Sequence, residues 1–358
     1  MSRIQTLQII GSKKLGGAES FFVRLHHAFN QTSDLGSTAI VPPGSELLSS
    51  LSAPVATSAM RSVFDPLSRF SLGALIRREQ PDIVQTWMGR ATRLVHLRPG
   101  KGPVHVARLG GFYNPDHYRH VHALVGNTRG ICDYLIRHGY PADRVHYISN
   151  FVPRPEPVEA EQLQQWKMRL NLKDDLVIFA LGRLHTNKAF DTLLDAFSAL
   201  PEEIGGRRVQ LLLAGDGPLA DQLKDQASKS TASNRIHFLG WQSDPAPFFA
   251  MADLFVCPSR HEPLGNVILE GWAHGVPVVS TRSDGALELM TDGIDGVLTE
   301  VDACEALTAA MQQVLTASND QKAAMISAGR CTLEQRFGQE AIVSAYLALY
   351  EQLLAGAR

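Results

Sequence analysis

Short apolar runs alternate with amphipathic stretches along the whole 358-residue chain, the pattern of parallel strands joined by helices. The first run, "TLQIIG", leads into a glycine-rich loop and then "AESFFVRLHHAFN", where Phe21, Phe22, Leu25 and Phe29 recur at helical spacing. "TAIV", "PDIVQTW", "PVHVARL", "HALVGN" and "VHYISN" follow as strand candidates for one doubly wound sheet. After "SNFVPRPEPVEAEQ", a polar, proline-containing linker and expected hinge, the pattern restarts with "LVIFALG", "VQLLLAG", "IHFLG", "LFVCPS" and "PVVST". The pattern predicts an α/β protein of two Rossmann-like domains, residues 1–150 and 151–336, facing a cleft. Residues 337–358 predict a helix with Ile342, Tyr346, Leu349, Tyr350 and Leu353 on its apolar face, closing the second domain or crossing back to the first.

Composition narrows the class. With 44% hydrophobic residues the chain can bury a substantial core. Cys132, Cys257, Cys304 and Cys331 are scattered, without metal-ligand spacing, and read as thiols of a reducing cytoplasm. The start of the chain lacks the apolar core of a signal peptide, and no run of about eighteen apolar residues suggests a membrane span. The net charge of −2 conceals an asymmetry: residues 1–150 carry 17 Lys+Arg against 9 Asp+Glu, the remainder 17 against 27. Much of the basic excess lies in Arg61, Arg69, Arg77, Arg78, Arg90, Arg93, Arg98, Lys101 and Arg108. Such a stretch suits an anionic membrane, an acidic lipid-linked acceptor or nucleic acid, and equally a plain solvated surface.

In open parallel sheets ligands bind beyond the carboxyl ends of the strands, and the informative motifs fall there. In "GSKKLGGAES", Gly16 and Gly17 precede a helix whose amides can meet phosphate or a sugar oxygen; a turn needing positive φ would also select them. Arg183 stands just past a strand and Lys188 five residues on, two cations able to clamp a diphosphate, although surface charges have the same spacing. Gly215 and Gly217 in "LLLAGDGPL" allow a sharp turn at another strand end. In "SRHEPLGNVILEGWA" a helix is expected from Leu264 or Gly265, with Glu262 before it and Glu270 inside it. The amides of Leu264, Gly265 and Asn266 would face phosphate, Glu270 a ribose diol and Glu262 the transferred group. Trp241 and Gln242 follow "IHFLG" where a nucleotide base would lie.

Together these motifs resemble the retaining glycosyltransferases of family 4, which have the GT-B fold. "LGGAES" is similar to that family's N-terminal loop, "GRLHTNK" to its Gly-Arg-Leu-x-x-x-Lys clamp, "LAGDGP" to its glycine turn, and "HEPLGNVILEGWAHGVPVVST" to its Glu-x7-Glu signature. The resemblance implies a nucleotide-diphosphate sugar (UDP, GDP or ADP) in the second domain and a glycan or glycolipid acceptor in the first. Arg183 and Lys188 would contact the diphosphate, Glu270 the ribose, and Glu262 the donor sugar. It also implies transfer of mannose, glucose or an N-acetylhexosamine with retention, without cofactor or nucleic acid, and within the family the look of bacterial lipopolysaccharide core enzymes. No Asp-x-Asp occurs, so cationic side chains and helix amides would neutralise the departing diphosphate in place of a metal. Two departures stand out: Ala189 follows the clamp lysine where glycine is common, and the family's histidine after the strand "HVARL" is missing. Arg108 or His117 would stand in for it, and with Arg90 and Arg93 they are the expected acceptor and membrane contacts. A nucleotide-sugar epimerase or an inactive nucleotide-sugar-binding protein would share much of this pattern. A dehydrogenase lacks its dinucleotide fingerprint.

Overall fold

The computed structural model describes residues 3–98, 100 and 102–356, so Lys101 of the basic stretch lies outside the described residues. The chain divides into two compact units, one running to Phe151 and resuming at Phe337, the other Val152–Arg336. Each is built on a seven-stranded sheet.

In the first unit the strands are β1 (Ile4–Ile10), β2 (Leu35–Val41), β3 (Val55–Thr57), β4 (Ile83–Trp87), β5 (Val104–Leu109), β6 (Ala123–Gly126) and β7 (Val145–Tyr147). They pair in parallel in the order β3-β2-β1-β4-β5-β6-β7. The order reverses direction at β1 and β4, and a crevice opens beyond the carboxyl ends at such a point. Residues of β1, β4 and β5 are almost all buried, because helices cover both faces and leave no polar side. The helix Gly17–Asn30 lays Phe21, Phe22, Leu25 and Phe29 into the core. The last helix, Gln339–Gly356, adds Ile342, Tyr346, Leu349 and Tyr350 to the same core, Phe29 meeting Tyr346 edge-on at 5.5 Å.

In the second unit the strands are β8 (Leu176–Leu181), β9 (Glu203–Ile204), β10 (Arg207–Ala214), β11 (Ile236–Gly240), β12 (Leu254–Cys257), β13 (Val278–Thr281) and β14 (Val297–Thr299). The parallel order is β11-β10-β8-β12-β13-β14, with β9 antiparallel on β10. Here the reversal falls between β8 and β12. The strands β3, β9 and β14 went unread in the sequence because each is two or three residues long and borrows its order from a neighbour.

Candidate active site

The loop leaving β8 carries both predicted clamp cations, and backbone hydrogen bonds hold the part around Arg183. Gly182 N donates to Ala214 O, Leu184 N to Asp216 O, and Leu219 N to Leu184 O, so the β8 and β10 loops lie backbone against backbone. A Cβ on Gly215, whose φ is +141°, would overlap the carbonyl of Gly182, and one on Gly217 would overlap Leu184 O. These glycines thus set the position of the loop bearing Arg183. Arg183 itself is exposed and makes no hydrogen bond or ion pair among the described residues. Lys188 ends a single 3-10 turn, Thr186–Lys188, and the following Ala189 is fully buried at φ +50°. That left-handed conformation costs an L-residue about 1–2 kcal/mol and explains why glycine suits the position.

Lys188 Nζ forms an ion pair with Glu262 Oε2, the two side chains only 21% and 13% exposed. Sequence spacing sent the two residues to different parts of a ligand; in the folded chain they hold each other. Burial works against the charge on Lys188, yet Glu262 above all, with Cys257 and Glu270, keeps its pKa above that of an ordinary lysine. Burial pushes the Cys257 thiol up, and the Glu262 carboxylate adds to the rise.

What brings the Glu262 loop to the Lys188 loop is Arg260, which sequence reasoning passed over. Its guanidinium donates to both carboxylate oxygens of Asp191 (2.9 and 2.7 Å), to Asp302 Oδ1 (2.6 Å) and to Thr186 O (2.9 Å). Arg260 N and His261 N both donate to Asn187 O. The fork geometry ties strand ends β8 and β12 together at one point. Its hydrogen bonds to Asp191 raise the Arg260 pKa; in return they hold Asp191 low, although burial acts the other way. Gly285, also unflagged, has no room for a Cβ against Leu264 and the Glu262 carbonyl, and its N–H donates to Glu262 O at 2.7 Å.

The helix after this loop is Asn266–Ala273, capped by Gly265 at φ +85°; the left-handed glycine puts the start one or two residues later than predicted. The first-turn amides of any helix lack acceptors within it, so this end suits an anion. Glu270, in the same helix, is half-buried and lies near enough to act on the Lys188 charge. Trp241 follows Gly240 and is 66% exposed, while Gln242 Nε2 is turned back to Leu239 O at 2.6 Å.

The remaining predicted residues belong to the first unit. Gly16 has extended backbone (φ −153°) and Gly17 starts the helix, so neither is there for a left-handed turn. Their loop borders a recess of about 480 Å³ at the β1/β4 crevice, lined by Gly11, Ser12, Lys13, Lys14, Glu19, Trp87, Met88 and Arg90. Met88 sits at φ +60°, local strain of the kind found at functional sites. A second recess of about 450 Å³ shares Lys13 and Arg90 and adds Arg61. His117 lies in the short turn Pro115–Tyr118.

Arg108 corrects the sequence reading. It is 2% exposed, donates to Tyr346 Oη at 3.1 Å and to Asn150 Oδ1, and stacks 4.6 Å from the ring centroids of both Phe21 and Trp87. A side chain so enclosed cannot belong to a membrane-facing surface; it ties β5 to the last helix. Sequence counting missed this because an arginine pattern carries no record of the acceptors that bury it.

A family model described as "Glycosyl transferases group 1" matches residues 175–317, the stretch holding the second-unit site. The chain is 36% identical over 344 residues to the lipopolysaccharide core biosynthesis glycosyltransferase LpsE of Rhizobium meliloti, covering 94% of this chain and 96% of that protein. It is 30% identical to LpsD of the same organism, over 95% and 96%. Among solved structures, a glycosyltransferase from Rickettsia africae superposes with a TM-score of 0.84 at 19% identity, covering 99% of each chain. Anabaena Alr3699/HepE in complex with UDP and glucose superposes with 0.80 at 20%, covering 98% and 100%. The fold is that of the GT-B enzymes, and the chain belongs to the group 1 glycosyltransferases.

Proposed function

We propose that the protein is a retaining, metal-independent hexosyltransferase of family 4, moving mannose, glucose or an N-acetylhexosamine from a UDP-, GDP- or ADP-sugar to a glycan or lipid-linked acceptor. Its place would be lipopolysaccharide core or other envelope glycan synthesis, in the cytoplasm at the inner face of the inner membrane. The observation that carries the reading is the Lys188–Glu262 ion pair at the ends of β8 and β12, with Arg183 exposed on the same loop as Lys188. The names of the R. meliloti relatives support the pathway, and the UDP and glucose of the Anabaena complex support the substrate class.

Breaking the anomeric C–O bond leaves negative charge on a departing diphosphate, and fixed cations stabilise that charge most when it is fully developed. Lys188 would exchange its carboxylate partner for the diphosphate, leaving Glu262 free beside the sugar. Arg183 would add fork-like contact, the first turn of Asn266–Ala273 would supply amides, and Glu270 would accept from the ribose hydroxyls. The acceptor would lie in the first-unit recess, where Lys13, Lys14 and Arg90 outnumber Glu19.

The test is a transfer assay in EDTA, with a panel of nucleotide sugars and lipopolysaccharide truncated in the core. One donor should yield a glycosylated product whose anomeric NMR coupling matches that of the donor. A strict need for divalent metal, an inverted linkage, or conversion of the donor sugar without any acceptor would each defeat the corresponding part of the proposal.

A further inference from the structure

The most exposed large apolar side chains among the described residues lie together in the first unit: Phe64, Leu67 and Phe70, at 81%, 69% and 71%. Single exposed apolar residues are ordinary, but three within seven residues form a patch that asks for a partner. The helix Pro66–Glu79 has two distinct faces. Ser68, Leu72 and Ile76 point into the unit, whereas Leu67, Phe70 and the exposed Ala74 recur at i, i+3 and i+7 on the outside. Phe64 stands just before the helix with the Arg93 guanidinium 5.7 Å from its ring centroid.

Basic side chains surround the patch. Between residue 61 and the end of the helix there are four arginines and two acids, Glu79, which pairs with Arg78 at 2.6 Å, and Asp65. That carboxylate is occupied in starting the helix, accepting from Leu67 N at 3.1 Å and Ser68 Oγ at 2.6 Å. Arg77 extends the outer face, and Arg69 lies beside Phe70 with its Nη2 donating to Val63 O.

We infer that this patch is a wedge that inserts into a bilayer containing anionic lipid, Phe64, Leu67 and Phe70 entering the acyl boundary while the arginines meet lipid phosphates. A helix lying in the interface needs this combination of an apolar outer face and flanking cations. A second copy of the chain fits less well, because a two-fold contact would set the same arginines against each other. The inference rests on the reading of a membrane-held acceptor and gives it a geometry. Arg61 lines the second recess and also opens the segment carrying the wedge, so insertion would hold that recess beside lipid head groups.

Vesicle flotation of the full-length protein tests it. Wild type should partition at least ten-fold better into vesicles of one-third phosphatidylglycerol than into pure phosphatidylcholine. The Phe64→Ser/Leu67→Ser/Phe70→Ser variant should lose at least ten-fold of that partition and retain nucleotide-sugar binding, which shows that it is folded. Arg69→Glu/Arg77→Glu should lose both the preference for anionic lipid and its salt dependence. In a Phe70→Trp variant, brominated acyl chains should quench the added emission. Equal flotation of wild type and triple variant would overturn the wedge, and so would a concentration-dependent dimer that the triple variant abolishes. Sugar transfer reports separately: failure of transfer with intact insertion removes the proposed function and leaves the wedge, and the converse removes the wedge alone.

Discussion

The two units meet their ligand ends in opposite ways. In the second, the loops after β8 and β12 are fastened to each other by Arg260 on Asp191, Asp302 and Thr186, by glycines that admit only backbone neighbours, and by Lys188 on Glu262. In the first, the crevice after β1 and β4 is a wide recess edged by lysine and arginine side chains, with Arg90 donating to Gly11 O. A nucleotide diphosphate is one rigid chemical class and repays a preformed site. The acceptor proposed for the first unit, held at a lipid surface, would vary more and suit broad charge. On the proposed assignment of the donor to the second unit, the more firmly fixed loops lie where charge would develop during transfer.

The contrast can be broken most sharply at the pair itself. Lys188→Ala should lower kcat/KM by about 100- to 1000-fold, as loss of a charge-stabilising group typically does, with Glu262 left half-buried and unpaired. Steady-state kinetics with the cognate donor checks this, and a change below three-fold would remove Lys188 from the chemistry. Gly215→Ala should come next, as a stability effect of about 3 kcal/mol or more, since it adds both a clash with the Gly182 carbonyl and an unfavourable φ. Its urea midpoint should fall while that of Gly16→Ala, at extended φ, stays close to wild type.

Arg260→Lys should cost about 1–3 kcal/mol in urea unfolding and weaken donor binding, because a lysine cannot span two carboxylates and a carbonyl. Acid should then separate the units. Burial, above every other cause, lowers the pKa of His26, His96, His105, His122 and His146 in the first unit, and of His237 and His274 in the second. A histidine held low in the folded state gives stability that is present above about pH 6.5, its unfolded value, and is lost as pH falls through the folded value. Between pH 7 and 5, amide protection factors, taken relative to intrinsic exchange at each pH, should therefore fall more in the first unit. Lys188, raised instead, contributes stability that persists through this range and disappears only at alkaline pH. The smallest effect is expected at the recess, where Lys13→Ala should raise the acceptor KM by a few-fold and leave donor hydrolysis unchanged.

Much of this organisation was legible in the sequence because it is written locally. Alternating apolar runs mark strands buried on both faces, and the motifs of the β8, β10 and β12 loops stand at strand ends. Arg183, Lys188, Glu262 and Glu270 were singled out there by their resemblance to a family motif, and the structure adds that Lys188 and Glu262 pair. What escaped depends on contacts across long separations. Arg260 looks like any surface arginine until Asp191 and Asp302 are brought to it, and Gly285 matters only because the Glu262 carbonyl lies against it. Arg108 misled for the same reason in reverse: it counted toward a basic surface until Tyr346, Asn150 and two aromatic rings enclosed it. Phe64, Leu67 and Phe70 carry no sign of exposure in their type, and the packing of Leu72 and Ile76 shows which face of their helix is outside.

On the proposed function the second unit binds the donor through Lys188, a cation paired with Glu262. Calorimetric titration of the full-length protein with UDP-, GDP- and ADP-sugars in EDTA, repeated with Lys188→Ala and Arg183→Ala, tests it most directly. One donor should bind tightly, with a dissociation constant that rises at least ten-fold in each variant; unchanged affinity in both would rule out the clamp.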